Sequence, residues 1–137
     1  MMRREARPHA VMLLPRLVIS DPTIIAAANY ASSLKDLHSY EEVKSLLRKV
    51  MPAARRAFGE SHELTIKIRW IYTEALYRDD DATLDDLREA VTRFEDTERI
   101  VRRVFGGAHP LALRTEIFLR NSRGILRARE TPSTGAA

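Results

Sequence analysis

The sequence predicts an all-α fold of stacked antiparallel helical hairpins, a short α-solenoid with about five helices. One observation is a string that occurs twice, Arg-Arg-Ala-Phe-Gly-Glu-Ser-His at 55–62 and Arg-Arg-Val-Phe-Gly-Gly-Ala-His at 102–109, 47 residues apart. A recurrence of this length is typical of repeat proteins, whose units bury their apolar faces only against their neighbours. The other observations are helical spacing of apolar residues in five segments and the absence of sustained strand-like alternation.

Composition limits the chain to one ordinary domain without cysteine chemistry. Its 137 residues, 45% of them hydrophobic, are enough to form a single core. The sequence contains no cysteine, which excludes disulfides, thiolate metal sites and cysteine nucleophiles. No run reaches the roughly 18 apolar residues that a membrane-spanning helix needs. We therefore expect a soluble, cytoplasmic protein without a membrane partner.

Residues 1–20 form a basic and then apolar N-terminal segment, with four Arg and one Glu. We interpret this segment as a cap over the exposed side of the first repeat. An Arg-rich start can also be an organelle transit peptide, which would make the protein organellar. Glu5, Pro8 and Pro15 favour the cap, because an acidic residue and two prolines interrupt a presequence helix.

The first two helices are predicted from the signals at their ends. Asp21 and Pro22 place an acidic cap and a proline at the start of the first helix. Ser39 with Glu42 predicts a capping box at the start of the second helix. Pro52 lies inside this second helix and is expected to bend or shorten it.

An acidic run at 79–81 separates the third helix from the fourth. Ser61 is expected to cap the third helix, which ends at this run. Thr83 and Asp86 then predict another capping box, and the fourth helix continues to Gly106.

The fifth helix is predicted to begin at Pro110, and Gly124 weakens its last turn. Residues 130–137 read Glu-Thr-Pro-Ser-Thr-Gly-Ala-Ala, so we expect a disordered tail there. The connections between all five helices are short, which makes consecutive helices pack antiparallel as stacked hairpins.

The first unit of this pattern resembles a tetratricopeptide repeat. The match runs through residues 23–34, then Tyr-Glu-Glu-Val at 40–43 and Leu-Leu-Arg-Lys-Val at 46–50, to Phe-Gly-x-x-His at 58–62. Within that family it is most similar to the long-period variety of kinesin light chains. The packing positions of the family pattern would be occupied by Ala31, Leu34, Tyr40, Val43, Leu47 and Val50.

The resemblance divides residues 21–129 into units at 21–59, 60–106 and 107–129, the last without its second helix. The later units depart from the family pattern. Trp-Ile-Tyr-Thr at 70–73 stands where small residues are usual, the acidic run lengthens the following turn, and only the second junction has His followed by Pro.

The resemblance implies a non-enzymatic scaffold that binds a peptide or protein segment in a groove formed by the first helix of each unit. Asn29 would bond the backbone of an extended peptide, whereas Lys67 and Arg114 would pair with acidic side chains. Trp70 is either an apolar anchor or a core residue, and both interpretations stay open here. The predicted groove residues are Asn29, Ser32, Lys35, Lys67, Trp70, Glu74, Arg114 and Asn121.

The doubled string contains two histidines that invite a metal or acid–base interpretation. Each follows a helix-ending glycine, where an imidazole can cap the next helix. No two histidines are three or four residues apart, as a metal-binding pair on one helix face would be. We therefore predict structural junctions, with each phenylalanine buried as a wedge between units and each glycine ending a helix. The junction residues are Phe58, Gly59, His62, Phe105, Gly106 and His109.

The sequence also lacks the residues that a calcium, nucleophile or phosphate site would need. The acidic cluster at 79–86 suggests a calcium loop, but it lacks the central glycine and has Ala90 where the closing glutamate belongs. The sequence contains no nucleophile elbow and no glycine-rich phosphate loop. We therefore predict no catalytic residue, no metal site and no cofactor.

Charge is segregated along the chain. Residues 78–98 carry nine acidic residues against three Arg, and residues 99–137 carry eight Arg against two Glu. These arginines could contact phosphates, so binding of RNA or another nucleic acid is the alternative function. Only Phe105 and Phe118 could stack on bases there, and both occupy apolar-periodic positions. An acidic protein or peptide partner is therefore favoured over nucleic acid.

The unfinished third unit leaves apolar side chains without a partner helix. We expect Ile117, Phe118, Ile125 and Leu126 to form an apolar surface there. Since about three repeats are usually needed for stability, the sequence also predicts self-association or a constitutive partner through the terminal helix.

Overall fold

The computed structural model describes residues 19–131, and within this range it contains five α-helices and no strand. This confirms the all-α fold class. The helices are α1 (Asp21–Asp36), α2 (Tyr40–Phe58), α3 (Glu63–Arg78), α4 (Leu84–Phe105) and α5 (Pro110–Glu130).

The predicted terminal segments fall almost entirely outside the described residues. Of the cap at 1–20, the structure describes Ile19 and Ser20 alone, and Ile19 packs against the core. Of the tail at 130–137, it describes Glu130, the last residue of α5, and Thr131.

Each helix packs against the next one along the chain. Contacts near the two ends of α2 show that α2 and α3 run antiparallel. Lys44, early in α2, is paired with Asp79 just after the end of α3, at 3.4 Å between Nζ and Oδ2. Thr65, early in α3, donates from its hydroxyl to the carbonyl of Ala54, late in α2, at 3.5 Å.

Helix α3 also contacts α1 and α5, so it packs against all four of the other helices. Lys35 of α1 is paired with Glu74 of α3, and the indole nitrogen of Trp70 of α3 donates to the Thr115 hydroxyl of α5 at 2.9 Å. These contacts position α1, α3 and α5 side by side. That this arrangement is a tetratricopeptide-type solenoid stays a prediction.

The core is continuous and follows the predicted apolar stripes. Its largest fully buried side chain is Phe94 of α4, which stacks on Phe118 of α5 with 5.4 Å between ring centroids. Trp70 belongs to this core with 6% of its surface exposed, so the structure supports the core interpretation of this residue. Other fully buried side chains are Ile24, Val43, Leu47, Ile66, Ile68, Leu87 and Val101.

Three predicted helix caps are wrong and one is confirmed. The residue directly before α1 is Ser20, so Asp21 lies in the first turn of the helix and is not its cap. Thr83 and Asp86 form the predicted capping box, with both hydrogen bonds at 3.0 Å. Ser39 makes no side-chain cap because its backbone (φ −89°, ψ 63°) is not extended, unlike the usual cap residue. The cap of α3 is His62 and not Ser61, because His62 is the extended residue directly before the helix.

The helix ends are mostly as predicted. Gly59 and Gly106 follow the last residues of α2 and α4, with φ values of 90° and 91° that favour glycine. Helix α2 continues through Pro52 to its end, so the proline does not shorten it. Phe58 and Phe105 are half-buried rather than buried, because each is the final residue of its helix and keeps one side toward solvent.

Candidate binding surface

The two junction histidines each cap the helix that follows them. Nδ1 of His62 accepts a hydrogen bond from the Leu64 amide at 3.0 Å, and Nδ1 of His109 accepts one from the Leu111 amide, also at 3.0 Å. Each ring also packs on the preceding phenylalanine, with centroids 4.8 and 4.7 Å apart. Between residues 19 and 131, no group of three His, Asp or Glu side chains is arranged to hold a metal ion.

The α1 part of the predicted groove meets α3 through one carboxylate. Glu74 accepts from Lys35 at 3.2 Å on one oxygen and from Arg78 at 2.8 Å on the other. Its side chain is only 8% exposed, so Glu74 holds two cations in place and offers no free carboxylate. Asn29 is exposed and Ser32 is half-buried on the same helix as Lys35.

The α5 part of the predicted groove forms around Trp70. The Arg114 guanidinium lies over the indole of Trp70, 5.7 Å from the ring centroid, and Asn121 is exposed two turns further along α5. Lys67 does not join them, because it pairs with Glu63 one turn earlier on its own helix at 3.0 Å.

One face of α5 has no helix packed against it in the described structure, and we call it the open face of α5. It lines two adjoining clefts along α3 and α5, of about 550 and 450 Å³. Three of its side chains are large, apolar and exposed: Leu113 by 49%, Ile117 by 50% and Ile125 by 38%. The open face consists of Pro110, Leu113, Arg114, Ile117, Arg120, Asn121, Gly124, Ile125 and Ala128.

The predicted apolar surface on α5 is therefore present but composed differently. Ile117 and Ile125 are exposed as expected, whereas Phe118 and Leu126 are half-buried against the core. Leu113 takes part in their place. The reason is the helical register, because Phe118 and Leu126 lie one residue beyond Ile117 and Ile125 and so turn toward α3 and α4.

The open face is electropositive. Arg114 and Arg120 pair with no carboxylate among residues 19–131, and the open face itself contains no aspartate or glutamate. Arg78 of α3 borders both clefts. Burial alone would lower the pKa of Arg78, but Tyr77 and Glu74 beside it raise the pKa above its ordinary value. Arg78 therefore keeps its positive charge, which its ion pair with Glu74 partly balances.

A polar cleft of about 710 Å³ continues from the C-terminal end of the open face and is lined by His38, Tyr40, Tyr77 and the acidic run 79–81. Tyr77 is 3% exposed, and its hydroxyl has no partner in good hydrogen-bond geometry. Burial raises the pKa of Tyr77 above 10.0, and the guanidinium of Arg78 acts in the opposite direction.

The carboxylates of the acidic run are partly used within the chain. Asp79 accepts from Lys44 and from the amide of Asp81, which closes the turn after α3. Burial lowers the pKa of Lys44, but its bonds to Glu41 and Asp79 outweigh burial and raise it overall. The run is thus a structured turn held by a lysine, in agreement with its interpretation as a turn.

Three of the arginines further from the open face are paired with carboxylates. Arg102 pairs with Glu98 one turn earlier in α4, and Arg123 of α5 pairs with Glu95 of α4 at 2.9 Å. Arg99 is paired with a nearby aspartate in the same way. The two aromatic rings considered for base stacking, Phe105 and Phe118, are both half-buried against other rings.

Sequence reasoning missed two members of this surface, Arg78 and Leu113. Arg78 was detectable, because it lies four residues after Glu74 and an acid and a base at this spacing pair on a helix. Leu113 had no such signal, because its exposure depends on how α5 rotates against α3 and α4.

Comparison with protein-family models, curated proteins and solved structures finds no match to this chain. The tetratricopeptide resemblance therefore still depends on the doubled string and on the first unit. None of the five helices combines the length and the apolar character required to cross a bilayer.

Proposed function

We propose that this protein is a non-enzymatic interaction module that binds a protein or peptide segment along α5 and the neighbouring edge of α3. The exposure of Leu113, Ile117 and Ile125 in one row carries this proposal. Single exposed apolar residues are common on protein surfaces, but a row at helical spacing between arginines marks an interaction site.

The groove implied by the tetratricopeptide resemblance remains part of the proposal, with its centre moved toward α5. Arg114 and Asn121 line the clefts directly. Lys35 does not line the clefts, but it pairs with Glu74, and Glu74 also pairs with Arg78 and so holds this arginine at the α3 side of the clefts. We also propose the cytoplasm as the site of action, which imaging of a fluorescent fusion in the native host would test.

The experiment is site-specific photo-cross-linking in the native host. A photoreactive amino acid in place of Leu113 should trap a defined protein, whereas the same amino acid in place of Ser45, exposed on α2, should not. The substitution Ile117→Asp should abolish trapping at position 113, because it places a charge in the apolar row. Equal trapping from both positions, or trapping that survives Ile117→Asp, would refute the proposal.

Binding of nucleic acid is the competing function, and salt dependence separates the two. Electrostatic binding to phosphates weakens steeply as salt rises. The pair Arg102→Ala and Arg103→Ala should then reduce affinity for single-stranded RNA, while Ile117→Asp should leave it unchanged. We expect no such affinity at physiological salt, because Arg99, Arg102 and Arg123 are already paired with carboxylates and the two aromatic rings of this region are half-buried.

A further inference from the structure

We infer that the open face of α5 receives an amphipathic α-helix of a partner protein that carries acidic residues along its flanks. We also infer that the backbone of this helix approaches α5 most closely at Gly124. The inference rests on the proposed function and adds the conformation and charge of the partner segment.

The partner segment is a helix because the open face offers few groups that could bond a peptide backbone. The open face continues for about five turns of α5, its exposed apolar row spans about three and a half of these turns, and Asn121 is its one amide side chain. An extended peptide laid along such a face would bury backbone amides and carbonyls without partners. A helix satisfies these groups internally, and a helix of similar length would cover the whole face.

Gly124 marks the point of closest approach. A glycine inside a helix weakens the helix, and neither the backbone nor the packing of this chain requires one here. A side-chain carbon added at Gly124 would meet no atom within 4 Å. Ala128, one turn later on the same face, is also small, and two small residues at this spacing let a second helix come close.

A second observation at the same place also indicates a ligand. Tyr77 borders the cleft beside Gly124, and its buried hydroxyl has no partner in good geometry within residues 19–131. A buried hydroxyl without a partner is costly. A small turn of the Tyr77 side chain toward the cleft would let its hydroxyl donate to a polar group that the partner brings to this stretch.

Charge decides between an acidic partner and a second copy of this chain. Arg114 and Arg120 lie on the open face without a carboxylate partner among residues 19–131, and Arg78, which is paired with Glu74, lies across the cleft. Twofold pairing of two open faces would bring together the same arginines with no carboxylate between them. Glutamates on the flanks of a partner helix would instead meet all three arginines.

The first test uses two synthetic peptides of about five helical turns. Both carry leucine at helical spacing, one with glutamate and the other with lysine on its flanks. The acidic peptide should bind the full chain at least about tenfold more tightly, measured by fluorescence anisotropy. The paired substitution Arg114→Glu with Arg120→Glu should reverse this preference. A preference that the paired substitution leaves unchanged would overturn the charge part of the inference.

The second test examines the contact at Gly124. Gly124→Leu should weaken binding of the acidic peptide at least about tenfold, because the larger side chain separates the two helices. It should not lower the thermal midpoint of the free chain, since a side-chain carbon at this position meets no atom within 4 Å and leucine favours the helix more than glycine does. Ser45→Leu, which adds the same side chain on exposed α2, is the matched control. Equal affinities of these two variants would refute closest approach at Gly124.

Four further outcomes separate this inference from the proposed function. Equal binding of an acidic peptide interrupted by prolines would overturn the helix and keep the binding surface. Sedimentation of the free chain as a dimer that Arg120→Glu disrupts would make a second copy the occupant. If position 113 traps a natural partner, the cross-linked segment should be an acidic amphipathic helix, and any other segment overturns the inference. Failure of position 113 to trap any protein would overturn the proposed function itself.

Discussion

His109 caps α5 by accepting a hydrogen bond from the backbone amide of Leu111. The substitution His109→Ala should lower the free energy of unfolding by about 1 kcal/mol, the usual cost of losing a helix cap. His109→Asn should recover most of this loss, because asparagine is a good cap residue without an imidazole. Urea unfolding of the three proteins measures both effects. Equal losses in the two variants would mean that stacking on Phe105 matters more than the cap.

Tyr77 should limit stability at high pH. Burial raises its pKa in the folded chain above the ordinary value of 10.0. The unfolded chain therefore releases the proton first, and stability falls as pH rises from 10.0 toward the raised pKa. Below pH 10 the contribution of this group is constant. Tyr77→Phe should remove this part of the alkaline loss, which thermal unfolding between pH 8 and 11 would measure.

The same substitution has a separate outcome at neutral pH. The Tyr77 hydroxyl is buried without a partner in good geometry, so its removal should raise the free energy of unfolding by about 1 kcal/mol. Tyr40→Phe is the matched control, because burial also raises the pKa of Tyr40 but its side chain is far less buried. A clear loss of stability in Tyr77→Phe would indicate a hydrogen bond to the hydroxyl.

Residue-scale features were predictable from sequence only where the interaction is local. The Thr83–Asp86 box joins residues three apart, and the sequence alone identified it. The choice of His62 over Ser61 depended on which residue adopts the extended backbone, and the sequence pattern does not determine this. The ion pair of Lys35 with Glu74 spans 39 residues and exists only because α1 packs beside α3.

At the scale of elements, we expect Pro52 to lower the stability of α2. It lies inside α2, where a proline removes one backbone hydrogen bond and destabilises the helix. We expect Pro52→Ala to raise the free energy of unfolding by about 2 kcal/mol, which is about 3 for the helix less about 1 for the freer unfolded chain. Guanidinium unfolding measures the change.

Pro110 is the matched control for this prediction. It is the first residue of α5, where its missing amide hydrogen costs nothing. Pro110→Ala should therefore leave stability unchanged or lower it slightly, because the unfolded chain gains freedom. If Pro52→Ala also failed to stabilise the protein, α2 would have to compensate for the proline by a contact that alanine loses.

Helix boundaries were predictable to within a few residues, whereas the faces of the helices were less so. Gly59, Gly106 and Pro110 mark ends of helices in sequence and in structure. Helix α3 contacts α1, α2, α4 and α5, and its buried residues accordingly lie around most of its circumference. Which side of α5 stays open was not determined by its own pattern, since Phe118 and Ile117 are equally apolar.

At the scale of the whole molecule, α3 connects every other helix, so we expect the chain to unfold as one unit. One side-chain hydrogen bond joins α3 to each of its four neighbouring helices. The partners of α3 in these bonds are Lys35, Ala54, Thr97 and Thr115. Repeat proteins can unfold piece by piece when each unit contacts only the next. Here Trp70, the single tryptophan, lies in the central helix and reports on the core by fluorescence.

The test compares Leu47→Ala in α2 with Leu119→Ala in α5, two core leucines toward opposite ends of the molecule. Each should lower the free energy of unfolding by about 2–5 kcal/mol, because each leaves a cavity. In both variants, Trp70 fluorescence and helical circular dichroism should follow one transition with the same midpoint. If Leu119→Ala separated the two signals, α5 would unfold independently of α1 and α2. Its open face would then belong to a helix that the rest of the chain does not hold firmly.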